Sequence, residues 1–366
     1  PLKVYGVERR KMKLSDVFTA KAIAAYITND PSSNLPYYGE VFFPAIKKTG
    51  VDLKWIKIRK GLGVALKPSA FDSMATIRTR GGFKATKEQM PLFRESMQID
   101  ETDMLEIQRA QDSNDPYVQD VLRHIFDDAA ELTLGADISA EKMRMNLLAP
   151  INGTMQISVG MADNTIYNYK YDEDGTWKSE HYVELTGTDT WDKPETAKPL
   201  SDIAEGTAYL ANLGFKPRFA MMTTKTFNYL IDNEQMMNAM ITASGVKNAY
   251  LDAKGTRDLF ELKTELQLIK NDKRYTDFDG TDKNFFPDDY VTIIGDGVLG
   301  NTYYGTTPEE RTLLGDSTVD VSIVKNGIAI AKKTDYGPPV LVSTTASQIC
   351  LPSFEGMDAI YVIKVK

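Results

Sequence analysis

Gly295-Asp296-Gly297-Val298-Leu299-Gly300 has the spacing of a phosphate cradle, GxGxxG, and follows an apolar strand candidate at 290–294. In a dinucleotide site such glycines let the backbone approach a pyrophosphate. A helix opening inside the motif then aims its amides and positive end at the charge. Here Asn301-Thr302-Tyr303-Tyr304-Gly305 follows, which is poor helix material. The spacing therefore predicts two strands joined by a glycine turn, with a dinucleotide-binding enzyme using the Gly295 to Gly300 loop as the alternative. A helix start comes later, at Thr307-Pro308-Glu309-Glu310, where threonine caps, proline takes the first position and glutamate closes the box.

Other residue types that do chemistry are sparse. The two histidines, His124 and His181, fall in different elements, so neither a zinc HExxH pattern nor a histidine-based triad can be built. The lone cysteine, Cys350, excludes an internal disulfide and has no helix N-terminus or paired histidine to activate it, so it reads as an inert buried thiol. The acidic loops at 172–175 and 277–282 lack the alternation and closing glutamate of a calcium loop and read as hairpin turns. Met221, Met222, Met236, Met237 and Met240 read as adaptable apolar filler. No spacing singles out an acid and base pair. The expectation is a non-enzyme with no catalytic, cofactor-binding or metal residue.

Charge carries more information. With 43 basic and 51 acidic residues the net charge is -8, which disfavours general nucleic-acid binding. The average hides a segregation. Residues 47–87 hold eleven cations (Lys47, Lys48, Lys54, Lys57, Arg59, Lys60, Lys67, Arg78, Arg80, Lys84, Lys87) against Asp52 and Asp72, a balance of +9. Residues 95–141 hold thirteen acids against Arg109 and Arg123, a balance of -11. Opposite patches that do not close within one molecule generate rings or lattices of copies, with the charges setting register and encounter rate. At 42% hydrophobic and 26% charged the composition is globular, and no apolar run approaches the roughly 18 residues of a membrane span. Arg9-Arg10-Lys11 before an apolar stretch looks faintly like a secretion signal, but Asp16 and Lys21 interrupt it.

The elements that must carry these charges follow from periodicity. A short amphipathic helix at 16–28 and a polar, proline-containing loop at 29–38 read as an arm that docks. LKWIKIRK at 53–60 alternates as a strand, with a return strand at 74–80 before Gly81-Gly82. A two-stranded arm this charged has no core of its own and needs a surface to lie on. After a cap at Asn114 or Asp115, Pro116 opens a helix with Val118, Leu122, Ile125, Phe126, Ala129, Leu132, Ala136, Ala140, Met143 and Leu147 at three- and four-residue steps, about 50 Å if unbroken through Gly135 and Asp137. Strands are expected at 154–159, 165–171 and 176–185. Helices are expected at 202–213 capped by Ser201, at 225–231 capped by Thr223 and at 234–240. Further strands are expected at 218–222, 265–270, 290–294, 328–333, 347–351 and 359–365.

Residues 283–310 resemble, as a whole and in order, the late region of the major capsid proteins of tailed double-stranded-DNA bacteriophages, in their lambda-like branch. The carriers are Pro287-Asp288, the strand 291–294, the glycine turn, Leu299-Gly300, Tyr304-Gly305 and Thr307 to Glu310. Arg78-Thr79-Arg80-Gly81-Gly82 is similar to the family's Arg-x-Arg-Gly-Gly before the long helix. Trp191, Pro199, Asp202-Ile203, Gly214, Pro217, Met222 and Phe227 follow in the family's order, with Lys198 where aspartate is frequent.

The resemblance implies an α+β chain of the tailed-phage major capsid fold. Its parts would be an N-terminal arm (1–48), an extended β-hairpin loop (49–100), a peripheral domain with a spine helix at 116–148 (101–186), an axial domain (187–335) and C-terminal strands returning to the peripheral domain (336–366). It implies a structural protein whose hexamers and pentamers form an icosahedral head around phage double-stranded DNA, without sequence-specific DNA contacts or a membrane. Scaffold, portal and decoration proteins are the further partners. Location would be the virion capsid, assembled in the bacterial host cytoplasm. Mapped onto the charge blocks, Lys54, Lys57, Arg59, Lys60, Arg78 and Arg80 of one copy meet Asp120, Asp127, Asp128 and Glu131 of the next. A nanocompartment shell of the same fold, enclosing protein cargo, is the nearest alternative.

Overall fold

The computed structural model describes residues 19–29, 37–56, 85–99, 101–102, 104–105, 116–160, 166–244, 252–312, 320–325, 327–335, 337 and 340–366. Its backbone element is one long helix, with two sheets assembled around it. After the arm helices α1 (Ala20–Asn29) and α2 (Tyr38–Phe42), the long helix α3 runs unbroken over Pro116–Leu148, 33 residues, with proline at its first position. Gly135 does not interrupt it. The hydroxyl of Ser139 donates to the Gly135 carbonyl at 2.9 Å, and that of Thr133 to Ala129, so the carbonyls near the glycine gain extra partners. Ala129, Leu132, Ala140, Met143 and Leu147 are buried at the expected spacing, and towards the C-terminal end Met145, Leu148 and Ala149 are buried as well.

The first sheet covers one flank of α3. Its order is β1 (Ala45–Lys47), β13 (Thr302–Tyr304), β16 (Leu341–Pro352), β15 (Ile328–Asp335) and β14 (Asp320–Val324), with β4 (Leu92–Ile99) on the other edge of β16. The twelve-residue β16 holds it together, pairing antiparallel with β4, β13 and β15. Ala129 and Leu132 of α3 pack against Ile330, Val342, Ile328 and Ala346 of these strands. The N-terminal segment closes this layer: β1 runs parallel to β13, and Phe42 and Phe43 are buried.

The second sheet is ordered β7 (Tyr182–Glu184), β17 (Ile360–Lys364), β12 (Tyr290–Gly295), β8 (Pro217–Met222) and β9 (Gln267–Lys270). Period two explains why β12 is buried along its whole length. Val291 and Ile293 face a core built with Ile203, Leu210, Phe227, Leu259 and Phe260, which come from α5 (Pro199–Asn212), α6 (Thr224–Ile231) and α8 (Ala253–Thr264). Tyr290 and Ile294 face the end of α3, and the Thr292 hydroxyl donates to the Leu148 carbonyl at 2.7 Å. One sheet thus welds the helical layer to the long helix. Three two-stranded hairpins complete the fold: β2 (Asp52–Ile56) with β3 (Ala85–Gln89), β5 (Gln156–Gly160) with β6 (Ile166–Lys170), and β10 (Arg274–Thr276) with β11 (Asp282–Asn284).

Several expectations are corrected. Residues 176–181 form helix α4 (Thr176–His181), and only Tyr182–Glu184 is strand. The turn before it is a helix start: Gly175 is left-handed, and the Asp172 carboxylate accepts from the amides of Trp177 and Lys178. Trp177 and His181, four apart, share the buried face. Helix α5 begins at Pro199 instead of after Ser201, because proline is pre-organised for the first helical position. Thr223 caps α6 as expected, accepting from the Thr226 amide, and helix α7 extends over Glu234–Ser244. Helix α8, capped by Asp252, has no counterpart in the sequence reading.

β13, β14 and β15 lie in the first sheet although they fall within 187–335, and β17 lies in the second although it falls within 336–366. β17 is the strand that bridges β7 and β12, so the second sheet is incomplete without the C-terminus.

Candidate assembly interface

The charged segment 57–84 is flanked by the paired strands β2 and β3. Leu53 and Trp55 are buried on one face while Asp52 and Lys54 are exposed on the other. Trp55 packs on Tyr171 with ring centroids 5.4 Å apart, the Tyr169 hydroxyl donates to the Gln89 carbonyl at 3.0 Å, and the Met90 amide donates to Val51. The root therefore rests on its own subunit. Lys54 is the ladder partner of Lys87. Lys57, Arg59, Lys60, Arg78 and Arg80, and the return strand expected at 74–80, lie outside the described residues.

On the acidic side, Glu131 is exposed and Asp127 half-buried, while the side chains of Asp120 and Asp128 lie outside the described residues. The structure does not bring Lys54 into a described ion pair with this quartet. Two other acids of the block are turned inward and add nothing to an outer face. Asp137 pairs with Lys325 at 3.2 Å, and Glu141 is 1% exposed. On the basic side, Lys47 is likewise spoken for by Glu310 at 2.5 Å.

Glu141 belongs to a buried polar hub that sequence reasoning missed. The Arg144 guanidinium donates to Glu141 Oε2 at 3.2 Å, to Thr302 Oγ1 at 2.9 Å and to the Tyr304 hydroxyl at 2.8 Å. Glu141 Oε1 accepts the Gly39 amide at 2.8 Å, and the Thr302 hydroxyl donates to the Phe43 carbonyl. Burial pushes the Glu141 carboxyl up against the opposing pull of Arg144 and the Gly39 amide, and Arg144 is shifted further toward its charged form. A Cβ on Gly39 would lie 2.6 Å from Glu141 Oε2, so only glycine lets helix α2 sit this close. The hub pins the N-terminal segment, the long helix and β13 at one point. Its sequence signal was an i,i+3 Glu and Arg in the last turns of the helix among Met143, Met145, Leu147 and Leu148, where a charge facing the core survives only in a pair.

The glycine motif is structural. β12 ends at Gly295, Gly297 has φ of 103°, and the chain continues into β13 of the other sheet, with no helix until α9 (Pro308–Thr312). A Cβ on Gly300 would lie 2.0 Å from the Ser353 carbonyl oxygen, so that glycine answers a backbone crossing. Gly300→Ala is expected to cost at least about 1–3 kcal/mol of stability by overpacking. Titration of the unsubstituted chain with NAD should leave its melting temperature unchanged, and saturable stabilisation would restore the dinucleotide alternative.

His181 and Cys350 are both buried. His181 is buried, stacked on Trp177, with Nδ1 2.9 Å from the Ile360 carbonyl oxygen, and the His124 side chain lies outside the described residues. Cys350 is fully buried and its thiol is pushed up to about 12 by desolvation. It is expected to resist a disulfide reagent at neutral pH until denaturant is added, and fast labelling of the native chain would contradict this burial. Among the described residues no group of His, Cys, Asp and Glu is arranged to hold a metal, and no helix is long and apolar enough to cross a membrane.

The family described as phage major capsid protein E matches residues 19–321. The chain belongs to that family. The capsid protein is accordingly a structural protein of the virion capsid, as the resemblance implied. Its fold is that of tailed-phage major capsid proteins. A solved protein of an Escherichia coli CFT073 prophage, assigned to its capsid, is 13% identical with TM-score 0.61, over 95% of this chain and 99% of that one. A phage-related protein from Bordetella bronchiseptica RB50 is 14% identical with TM-score 0.52, over 94% and 96%. No curated protein matches the sequence.

Proposed function

We propose that copies of the capsid protein assemble as hexamers and pentamers into an icosahedral head around phage double-stranded DNA. The basic arm of each copy lies on the acidic first half of a neighbour's α3. The carrying observation is the hairpin root. It delivers residues 57–84, with seven cations (Lys57, Arg59, Lys60, Lys67, Arg78, Arg80, Lys84) against Asp72, from an anchored two-stranded base that already sets Lys54 opposite Lys87. Such an arm has no core of its own and too much charge to lie on another basic surface. In this reading Lys54, Lys57, Arg59, Lys60, Arg78 and Arg80 meet Asp120, Asp127, Asp128 and Glu131 of the next copy.

The long helix and first sheet would form the peripheral domain, and the second sheet with α5 to α8 the axial domain near the symmetry axes. A net charge of -8 suits a wall along which packaged DNA slides without sequence-specific contact. Scaffold, portal and decoration proteins are the further partners, and assembly takes place in the host cytoplasm. Negative-stain imaging of the purified chain at low salt is expected to reveal closed shells built of five- and six-membered rings. Dispersed single subunits at every concentration would refute the proposal.

A further inference from the structure

We propose that Phe278 is an apolar contact point between copies of this chain, seated by each subunit on the surface of a second copy. The inference rests on the reading that copies assemble, and it adds an uncharged contact to the charged one. Phe278 is 93% exposed, more than any other large apolar side chain among the described residues. Scattered exposed apolar groups need no explanation. This one sits at the tip of the β10–β11 hairpin, on a turn that is held rigid.

The Asp277 amide donates to the Thr281 carbonyl and the Gly280 amide to the Asp277 carbonyl, both at 2.8 Å. Asp279 accepts from the Thr281 amide at 2.9 Å. Lys283 bridges Asp277 at 2.6 Å and Asp279 at 3.4 Å, and Lys142 of the long helix reaches Asp277 at 3.0 Å. Burial acts to raise the Asp277 carboxyl, but the hydrogen bonds from Lys283 and Lys142 outweigh it and hold the group at about 2. The hairpin base is packed as well: Tyr275 and Phe285 lie 4.7 Å apart, and Phe286 is fully buried.

A fixed aromatic loses little freedom on docking, and an apolar centre with compensated charges around it is the anatomy of a protein contact. Asp277 and Asp279 are matched by Lys142 and Lys283, so the turn presents no excess of cations for nucleic acid or an anionic membrane. A chain of the major capsid family works among copies of itself, so a second copy is the occupant the observations favour.

Cys350 is the only cysteine and is buried, so Phe278→Cys adds the one reactive thiol. Particles assembled from unsubstituted chain doped with a minority of Phe278→Cys are labelled with a small maleimide alongside dispersed subunits. Labelling in particles is expected to be slower by about tenfold or more. Phe278→Ser should raise the concentration needed for assembly by about tenfold, at high salt as well as low, with an unchanged melting temperature, and Phe278→Leu should recover most of it. Equal labelling rates, or unhindered assembly of Phe278→Ser, would overturn the inference while leaving assembly itself intact. If the unsubstituted chain forms no particles, the assembly reading fails and this inference falls with it.

Discussion

Reversing Lys57, Arg59 and Lys60 to glutamate is expected to abolish shell formation while the subunit stays folded. Three reversals take the balance over residues 47–87 from +9 to +3 and put three carboxylates where the neighbour's acidic helix is to be met. An exposed ion pair is worth only about 0.2–1 kcal/mol, so losing attraction alone would weaken assembly modestly. Like charges forced together cost several kcal/mol per interface, and a shell repeats that cost at every contact. Sedimentation reads the assembly, and far-UV circular dichroism with a thermal melt reads the fold. Shells of normal size and yield would exclude electrostatic docking. The unsubstituted chain should also assemble less readily as salt rises, since the screening length falls to about 10 Å at 0.1 M.

The second large effect lies inside the subunit. Arg144→Met is expected to destabilise the fold by about 3–5 kcal/mol, because it strands the buried Glu141 carboxylate and removes the donors to Thr302 and Tyr304. Denaturant unfolding measures the loss. Adding Glu141→Met to Arg144→Met should recover a large part of it, since a well-packed apolar pair can replace a buried ion pair. Hydrogen exchange should localise the damage to residues 37–47, which the hub pins through the Gly39 amide and the Phe43 carbonyl. An Arg144→Met chain as stable as its parent would remove the hub from the account of how the arm is held.

Much of the scaffold was legible because its signals are local. Pro116 and the three- and four-residue spacing fix the long helix to its observed ends, and a short apolar run with a glycine stop fixes β12. Thr223 and Thr307 announced helix starts that the structure keeps: their hydroxyls accept from Thr226 and Glu310 amides. What was illegible depends on partners distant in sequence. The acidic 172–175 turn reads as a hairpin, and nothing local says that Trp177 will donate its indole N–H to the distant Met357 carbonyl. β17 reads as one more C-terminal strand, and nothing local says that it slots between β7 and β12. Helix α8 exposes Leu262 while burying Leu259 and Phe260, which blurs its amphipathic pattern.

The candidate site was legible as a charge contrast and only partly as residues. Lys54 and Glu131 are exposed as the contrast requires, whereas Lys47, Asp137 and Glu141, tallied with the same blocks, are engaged within the subunit. A count of charges cannot separate outward from inward groups, because a buried pair and an exposed pair have the same composition.

A charge-swap mixing experiment tests the central claim most directly. One variant carries Lys57→Glu, Arg59→Glu and Lys60→Glu, the other Asp120→Lys, Asp128→Lys and Glu131→Lys, and each is prepared alone and then combined at low salt. The arm of one copy resting on the helix of the next predicts folded, unassembled subunits separately and rings or shells on mixing, seen by sedimentation and electron microscopy. Assembly of either variant alone as readily as the unsubstituted chain, or a mixture that stays dispersed, would contradict it.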